Sequence, residues 1–573
     1  MEGSRLDEVL RHLGRYGRYQ VICTILIATI GTWFPAWHLM GIIFTADSPQ
    51  GYQCVTSAAN PPPKPSAVLA DVVESVTPTY QQWTENASVS MVTRNISMEV
   101  NECVLQGTDE PCREWQYLTK YNETTIVTDL NLICDRSFLA QTAQSIFLAG
   151  CLVGSFLFGF LSDAFGRKKM LLIGCLANGV FGILVAFVQN YPGFVTLWFL
   201  IGLFTQGYNQ VQFIMVIEMF PPECRTLIGS LNNMFWGVGV ITVTPFAYIF
   251  RNWRHMQLAI SIPCLVAIPL WFILDDSIRW LISKGRINEA TNILNKMARW
   301  NSVEPPPGGF LLAEDAEEEN IALKEIDKSE VAAPSIKEKK SITYLDVLRS
   351  PRLLLNTVII YFSWFVSMMT YYGASLNSAH LVGSKYANFF FLGLAEIPAF
   401  FIIHFTMTWW GRRPSMGLFF VVSGLTSIAT AFIPMKTVDG ADLTVPIVVM
   451  AIIAKLCITC AFSINLIFCS EIFPTPVRNV GFGIGAVVAN IGTVVAPFIL
   501  YLASYASFLP LTIFGALSIS AAVLIPILPE TRNKPLPETI EDAIHLGRTP
   551  PCTQDKDQRE KSSSKLEAAN DLL

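Results

Sequence analysis

Long apolar runs separated by short polar stretches make up most of this chain. Twelve of the runs have about twenty residues or more, the length that an α-helix needs to cross the apolar core of a bilayer. Because lipid offers no hydrogen-bond partner to a free backbone group, each run is predicted to be a helix. The twelve predicted spans are 19–44, 138–161, 170–188, 193–217, 227–250, 256–274, 352–373, 386–407, 415–434, 445–470, 479–502 and 508–528.

The composition agrees with a chain that crosses a membrane many times. Apolar residues make up 52% of it, charged residues 15%, and the mean hydropathy is +0.43. These values exclude an ordinary soluble protein. The sequence has no paired nucleophile and base, no metal-ligand spacing and no phosphate-binding loop. We therefore predict an all-α membrane protein that is not an enzyme, with no catalytic residue, metal site or cofactor and no nucleic-acid partner.

The positions of the cations predict how the chain is oriented. Lysine and arginine accumulate in cytoplasmic loops, and here they cluster at one end of the spans. The short loops 189–192 and 503–507, at the opposite end, carry no charge. Both termini are therefore predicted to be cytoplasmic, although Arg251 and Arg254 lie on the outer side and depart from the pattern.

Short motifs occur twice along the chain. The segment E-M-F-P-P-E-C-R at 218–225 follows the fourth span, and E-I-F-P-T-P-V-R at 471–478 follows the tenth. Gly166-Arg167-Lys168 has a weaker counterpart at 411–413. The repeat predicts two six-helix halves with a substrate site between them near the membrane midplane. The predicted segments are a cytoplasmic N-terminus 1–18, a first half 19–274, a central cytoplasmic segment 275–351, a second half 352–528 and a cytoplasmic tail 529–573.

The only large external segment is predicted at 45–137. An even number of cysteines in an oxidising compartment indicates two disulfides, and the sequence leaves all three pairings open. The four candidates are Cys54, Cys103, Cys112 and Cys134. The chain's N-glycosylation triplets all fall in the same segment. They begin at Asn86, Asn95 and Asn122.

Several motifs resemble those of known transporters. Residues 159–169, G-x-x-x-D-x-x-G-R-K-K, resemble the signature loop of major facilitator transporters. Together with the opening at 17–20, the large first loop and the E-I-F-P motif, they resemble the organic ion transporter family of solute carriers. Within it, L-A-E-I-P at 394–398 and the segment 455–463 are similar to the organic cation and carnitine branches. The resemblance implies the major facilitator fold and transport by alternating access.

The repeated acids and arginines are candidates for a cytoplasmic gate. We expect them to clamp the cytoplasmic helix ends in one state of the cycle, and the alternative is a set of solvated interfacial charge pairs. The six residues are Asp163, Arg167, Glu218, Arg225, Glu471 and Arg478.

Few ionisable residues lie inside the spans, so those that do are candidates for substrate binding. Glu396 lies in the middle of the eighth span and Lys455 in the tenth. Glu396 could hold a substrate cation, or the two could simply neutralise each other, and the sequence leaves both interpretations open. Asn209 belongs to a group of amides in the fourth span that either contact substrate or join helices. The resemblance implies substrate-contacting aromatic side chains at Trp236, Trp364, Tyr371 and Phe462.

The sequence therefore predicts a plasma-membrane transporter of small organic cations or carnitine-like zwitterions. Two alternatives remain open: an organic anion transporter of the same family, and a non-transporting receptor or adaptor on a transporter scaffold. The second is motivated by the altered Asp275-Asp-Ser motif and by Asn490, a further substrate-binding candidate, which lies where the resembled family has an Asp or an Arg. The expected partners are a small-molecule substrate and the lipid bilayer. The polar tail either binds a cytoplasmic scaffold or serves only to keep the chain soluble.

Overall fold

The computed structural model describes most of the membrane-spanning chain. The described residues are 2–54, 103–104, 112, 114–119, 122–304, 344–434, 442–474, 477–532, 534, 537 and 539–546. The predicted glycosylation sites Asn86 and Asn95, and the tail that the scaffold prediction concerns, lie outside these residues.

Twelve long helices correspond to the twelve predicted spans, which confirms the predicted fold class. Eleven of them are long and apolar enough to cross a membrane. The twelfth, α4, has 28 residues, but Gln206, Asn209, Gln210 and Gln212 lower its hydropathy. In chain order the helices are α1 Arg18–Thr45, α2 Cys134–Phe165, α3 Arg167–Val185, α4 Tyr191–Glu218, α5 Pro222–Ile249, α6 Trp253–Ile273, α7 Pro351–His380, α8 Lys385–Trp409, α9 Arg412–Phe432, α10 Thr444–Ile472, α11 Val480–Ser504 and α12 Leu509–Ile527.

Shorter helices flank the membrane helices. An N-terminal helix precedes α1, and an amphipathic helix follows α6. Their bounds are Glu2–His12 and Ile287–Asn301, and the remaining short helices are Ile126–Asp129, Ile278–Ser283, Tyr344–Arg349 and Ile540–His545.

The segment Ser48–Glu123 forms a compact unit of its own. In it, strand β1 (Gly51–Cys54) pairs antiparallel with β2 (Trp115–Leu118), with Gly51 opposite Leu118. A disulfide joins Cys54 to Cys112, which is one of the pairings that the sequence left open. Cys103 and Cys134 are also disulfide-bonded. We call the bundle end at which α1 ends, at Thr45, the outer end, and the opposite end, at which α1 begins, the inner end.

Small residues let neighbouring helices pack closely within each half. In the first half, a Cβ atom on Gly154 of α2 would lie 1.9 Å from the carbonyl oxygen of Leu203 in α4. In the second half, Gly424 of α9 and Gly515 of α12 face each other, and a Cβ on Gly424 would lie 2.9 Å from the Gly515 carbonyl oxygen. Larger side chains at these positions would force the helices apart.

The two halves contact each other in the middle and outer parts of the bundle. Ser145 of α2 donates to the carbonyl oxygen of Val494 in α11 at 3.0 Å, and the hydroxyls of Ser137 and Tyr501 lie 3.3 Å apart. Helices α5 and α8 also pack together, with Gly393 facing Val240 and Ile241. The central candidate residues lie along this contact between the halves.

Candidate functional site

A carboxylate lies buried in the middle of α8. The Tyr371 hydroxyl donates to Glu396 Oε1 at 2.6 Å, and Lys455 Nζ lies 3.2 Å from the same oxygen. Both charged side chains are only 2% exposed. The structure thus brings together the two ionisable residues predicted inside the spans.

The ammonium group of Lys455 is held on several sides. It donates to Ser375 Oγ at 2.6 Å and to the carbonyl oxygen of Tyr371 at 3.3 Å. It also lies 3.0 Å from the centroid of the Tyr371 ring, where the negative face of the ring attracts a cation. Glu396 and Lys455 therefore form a charge-neutral pair, in which removing one partner leaves the other charge buried alone.

The first half contributes an aromatic side chain, that of Trp236, to the group around Glu396. Trp236 of α5 donates its indole N–H to the Tyr371 hydroxyl at 3.3 Å. A chain of hydrogen bonds therefore runs from Trp236 through Tyr371 to Glu396 and crosses the contact between the halves. We call Trp236, Tyr371, Ser375, Glu396 and Lys455 the central cluster.

Two other predicted aromatic residues form a second group in the second half. The rings of Trp364 and Phe462 lie 6.4 Å apart, and Phe482 meets the Trp364 ring edge-on at 5.1 Å. Trp364 is buried. Because α7 carries both Trp364 and Tyr371, seven residues and two helical turns apart, this group lies on the inner side of the central cluster.

The amides of α4 join helices, whereas Asn490 bonds within its own helix. Asn209 of α4 donates to the carbonyl oxygen of Gly31 at 2.6 Å, within a π-helical turn of α1 that runs over Thr29–Trp33. Gln212, one turn further along α4, donates to the amide oxygen of Asn232 in α5. Asn490 donates to the carbonyl oxygen of Ala486 in its own helix at 3.0 Å. The described hydrogen bonds of Asn209 and Asn490 therefore do not reach the central cluster.

Four of the six candidate gate residues lie in ionic networks at the inner end, one network in each half. In the first, Arg167 lies 2.5 Å from Asp163 and 3.4 Å from Glu218, and Ser277 donates to Glu218 at 2.5 Å. In the second, Arg412 lies 2.9 Å from Glu471, and Thr531 donates to Glu471 at 2.5 Å.

Each network also holds the start of a helix. Asp276 accepts from the backbone N–H of Lys168 at 3.0 Å, and Glu530 accepts from those of Arg412 and Arg413 at 3.0 Å. A carboxylate there stabilises the positive end of a helix. The preceding glycines have φ values of +109° (Gly166) and +97° (Gly411), a region that favours glycine.

The two arginines that close the repeated motifs play a different role from that of Arg167 and Arg412. Arg225 and Arg478 each donate Nε–H at 3.3 Å to a backbone carbonyl oxygen, that of Phe220 and that of Phe473 respectively. Arg225 also lies 3.6 Å from Asp7 of the N-terminal helix. Glu218 and Glu471 therefore pair with the arginines at the starts of α3 and α9.

Comparison with known proteins identifies the family. A family model described as sugar (and other) transporter matches residues 82–542. An organic cation transporter protein of Drosophila melanogaster is 34% identical over 553 residues, which cover 95% of each chain. The human organic cation/carnitine transporter 2 is 30% identical over 439 residues, 76% of this chain and 75% of that one. The chain belongs to the organic cation transporter family of the major facilitator superfamily.

The fold has a solved counterpart. The inward-open xylose transporter XylE from E. coli aligns with a TM-score of 0.59 at 16% identity and covers 92% of this chain and all of that one. The likeness shows the major facilitator fold. As a member of the organic cation transporter family, the chain is a multi-pass membrane transporter and not an enzyme.

One ion pair of this transporter was missed by sequence reasoning. Asp47, just beyond α1, lies 2.7 Å from Lys385 at the start of α8, and both side chains are at most 10% exposed. Charges at the ends of apolar runs are expected at the membrane surface, so nothing in the sequence indicates that these two are buried together. Ser375 was also missed, because a hydroxyl inside a span often bonds only to its own helix.

Proposed function

We propose that this transporter carries small organic cations or zwitterions, carnitine-like compounds among them, across the plasma membrane by alternating access. The observation that carries the proposal is the buried carboxylate of Glu396 at the contact between the halves. Tyr371 and Trp236 place aromatic surface beside it. A carboxylate flanked by aromatic rings is the environment that recognises an ammonium group.

The pairing of Glu396 with Lys455 favours a substrate with both charges. The ammonium group of a zwitterion takes the place of Lys455 beside Glu396, and its carboxylate takes the place of Glu396 beside Lys455. Each buried charge therefore keeps a partner of opposite sign. A simple cation replaces only the partner of Glu396 and leaves the Lys455 charge to the Ser375 hydroxyl and the Tyr371 carbonyl. The name of the human relative, an organic cation/carnitine transporter, supports the same substrate class.

The inner-end networks support a gate in the transport cycle. Each network lies within one half, where it ties the starts of α3 and α9 to acids beyond the ends of α6 and α12. We infer that both termini are cytoplasmic, and that each network keeps the inner end of its half rigid while the halves move. In this role Asp163, Arg167 and Glu471 each act within their own half. Arg225 and Arg478 stabilise the loops that follow α4 and α10 by donating to backbone carbonyl oxygens there.

The decisive experiment is an uptake panel in cells that express the full chain. Labelled tetraethylammonium, carnitine, a dicarboxylate and a hexose are compared with and without sodium, and uptake is normalised to surface protein. We expect uptake of the ammonium compounds and none of the hexose. Uptake confined to the dicarboxylate would instead assign the site to an organic anion, with Lys455 as its partner.

A further inference from the structure

A second buried acid–lysine pair lies at the outer end of the bundle and joins the two halves. Asp47 follows α1 of the first half, and Lys385 begins α8 of the second; their charged atoms are 2.7 Å apart. The side chains are 10% and 8% exposed, respectively. An ion pair buried to this degree is costly to break unless another charge replaces the lost partner.

Aromatic rings pack around Tyr386, the residue that follows Lys385. The rings of Phe44 and Tyr386 stack with centroids 5.6 Å apart and planes 7° from parallel. Tyr248 of α5 meets Tyr386 edge-on at 5.5 Å, and Phe389 meets Phe44 at 5.3 Å. The rings come from both halves, so parting the halves at the outer end would separate them.

The ammonium group of Lys385 lies beside both a carboxylate and an aromatic ring. Its Nζ lies 5.6 Å from the centroid of the Tyr386 ring while it pairs with Asp47. The central cluster combines the same groups: a carboxylate, a lysine, and a tyrosine ring beneath the ammonium. A carboxylate with aromatic faces attracts a primary or a quaternary ammonium alike.

We propose that Asp47, Phe44 and Tyr248 of the first half form an outer binding site for organic ammonium ions, which Lys385 and the adjacent Tyr386 cover while the outer ends of the halves are together. When the halves part, an external organic ammonium takes the place of Lys385 at Asp47. The inference rests on the proposed function, since it adds a first docking point for the substrates of the central cluster. A cation that replaces Lys385 also stabilises the outward-open state, because it binds that state and not the closed one.

The test measures binding of tetraethylammonium to the purified full-length transporter. Every variant carries Glu396→Gln and Lys455→Met, so that the central cluster contributes no charge and Lys455 is not left without its partner. Lys385→Met is compared with the double variant Asp47→Asn, Lys385→Met. Neither carries Lys385, and they differ only in the Asp47 charge, so neither leaves a lysine buried without its partner. Asp129→Asn is the matched control, because it removes an outer-end carboxylate whose partner Arg254 lies in the same half.

We expect Lys385→Met to bind the probe about tenfold more tightly than the parent that carries only the two central changes, because the competing ammonium is gone. Adding Asp47→Asn should weaken binding about tenfold or more, and Asp129→Asn should leave it unchanged. Equal affinity with and without the Asp47 charge would overturn the proposal, as would absence of binding in Lys385→Met. If Asp47-dependent binding is found but the uptake panel shows no ammonium transport, the proposed function fails and the outer site stands.

Discussion

At the scale of single residues, the central question is what Glu396 does for the transport cycle. Its carboxylate is buried, accepts from Tyr371 and pairs with Lys455. A carboxylate that served only to balance a lysine would not need aromatic side chains from both halves beside it. Trp236 and Tyr371 come from different halves and meet next to this acid, which favours substrate contact.

Replacing Glu396 tests this directly. Glu396→Gln should lower uptake of organic cations about tenfold or more, because a charged hydrogen-bond partner of the ammonium is lost. Glu396→Asp keeps the charge and should retain a measurable part of the uptake. Uptake per surface molecule is the measurement, and equal uptake by the Gln and Asp variants would contradict a role for the charge.

The double change Glu396→Gln, Lys455→Met separates substrate contact from charge balance. Each single change leaves one buried charge alone, which costs about 3–5 kcal/mol of folding stability. The double variant should therefore recover the surface expression and thermal stability that the single variants lose. We expect it to remain inactive in uptake of organic cations. Recovery of uptake along with stability would mean that the pair is structural.

At the scale of elements, the repeated networks fix the starts of α3 and α9. Asp163 is the peripheral member of the first network: its side chain is 71% exposed, whereas Arg167, its partner, is 11% exposed. Exposed ion pairs contribute about 0–1 kcal/mol to stability. A change at Asp163 therefore tests the function of the network with little effect on folding.

Asp163→Asn should lower turnover while surface expression stays close to that of the unmodified transporter. The reason is that Arg167 then has Glu218 as its remaining ionic partner in the network, at the longer distance of 3.4 Å. Initial uptake rates and surface biotinylation measure the two quantities separately. Unchanged turnover in this variant would show that the network is an interfacial charge cluster without a role in the cycle.

Helix α4 has a lower hydropathy than the other membrane helices because several of its side chains make polar contacts with neighbouring helices. Its amides make it less apolar than the other membrane helices, yet Asn209 and Gln212 bond to α1 and α5. A polar side chain at this depth is stable only where protein or water supplies a partner. The sequence therefore predicts that these amides face inward, but not which helix they meet.

At the scale of the whole molecule, the topology predicts where glycans can be attached. Asn122 is exposed, and its φ of +52° lies in the left-handed region that asparagine tolerates. The triple change Asn86→Gln, Asn95→Gln, Asn122→Gln should remove every glycosidase-sensitive mass shift, because all N-glycosylation triplets lie in this segment. Electrophoresis before and after glycosidase treatment is the measurement. A residual shift would contradict the assignment of this segment to the outside.

The sequence alone determined the number and the approximate positions of the membrane helices, because the bilayer imposes both their length and their hydrogen bonding. It also determined the two-half architecture through the repeated motifs, and it singled out Glu396 and Lys455, since ionisable residues inside a span are rare. These conclusions depend on properties local to the chain.

Only the tertiary structure decided which polar groups meet. Glu218 pairs with Arg167, 51 residues away in sequence, although Arg225 lies in the same motif. Asp47 and Lys385 are 338 residues apart and become partners only because α1 and α8 come together at the outer end. Side-chain pairing depends on which helix faces pack against each other, and packing between helices in lipid is set by small residues and shape, which hydropathy does not encode.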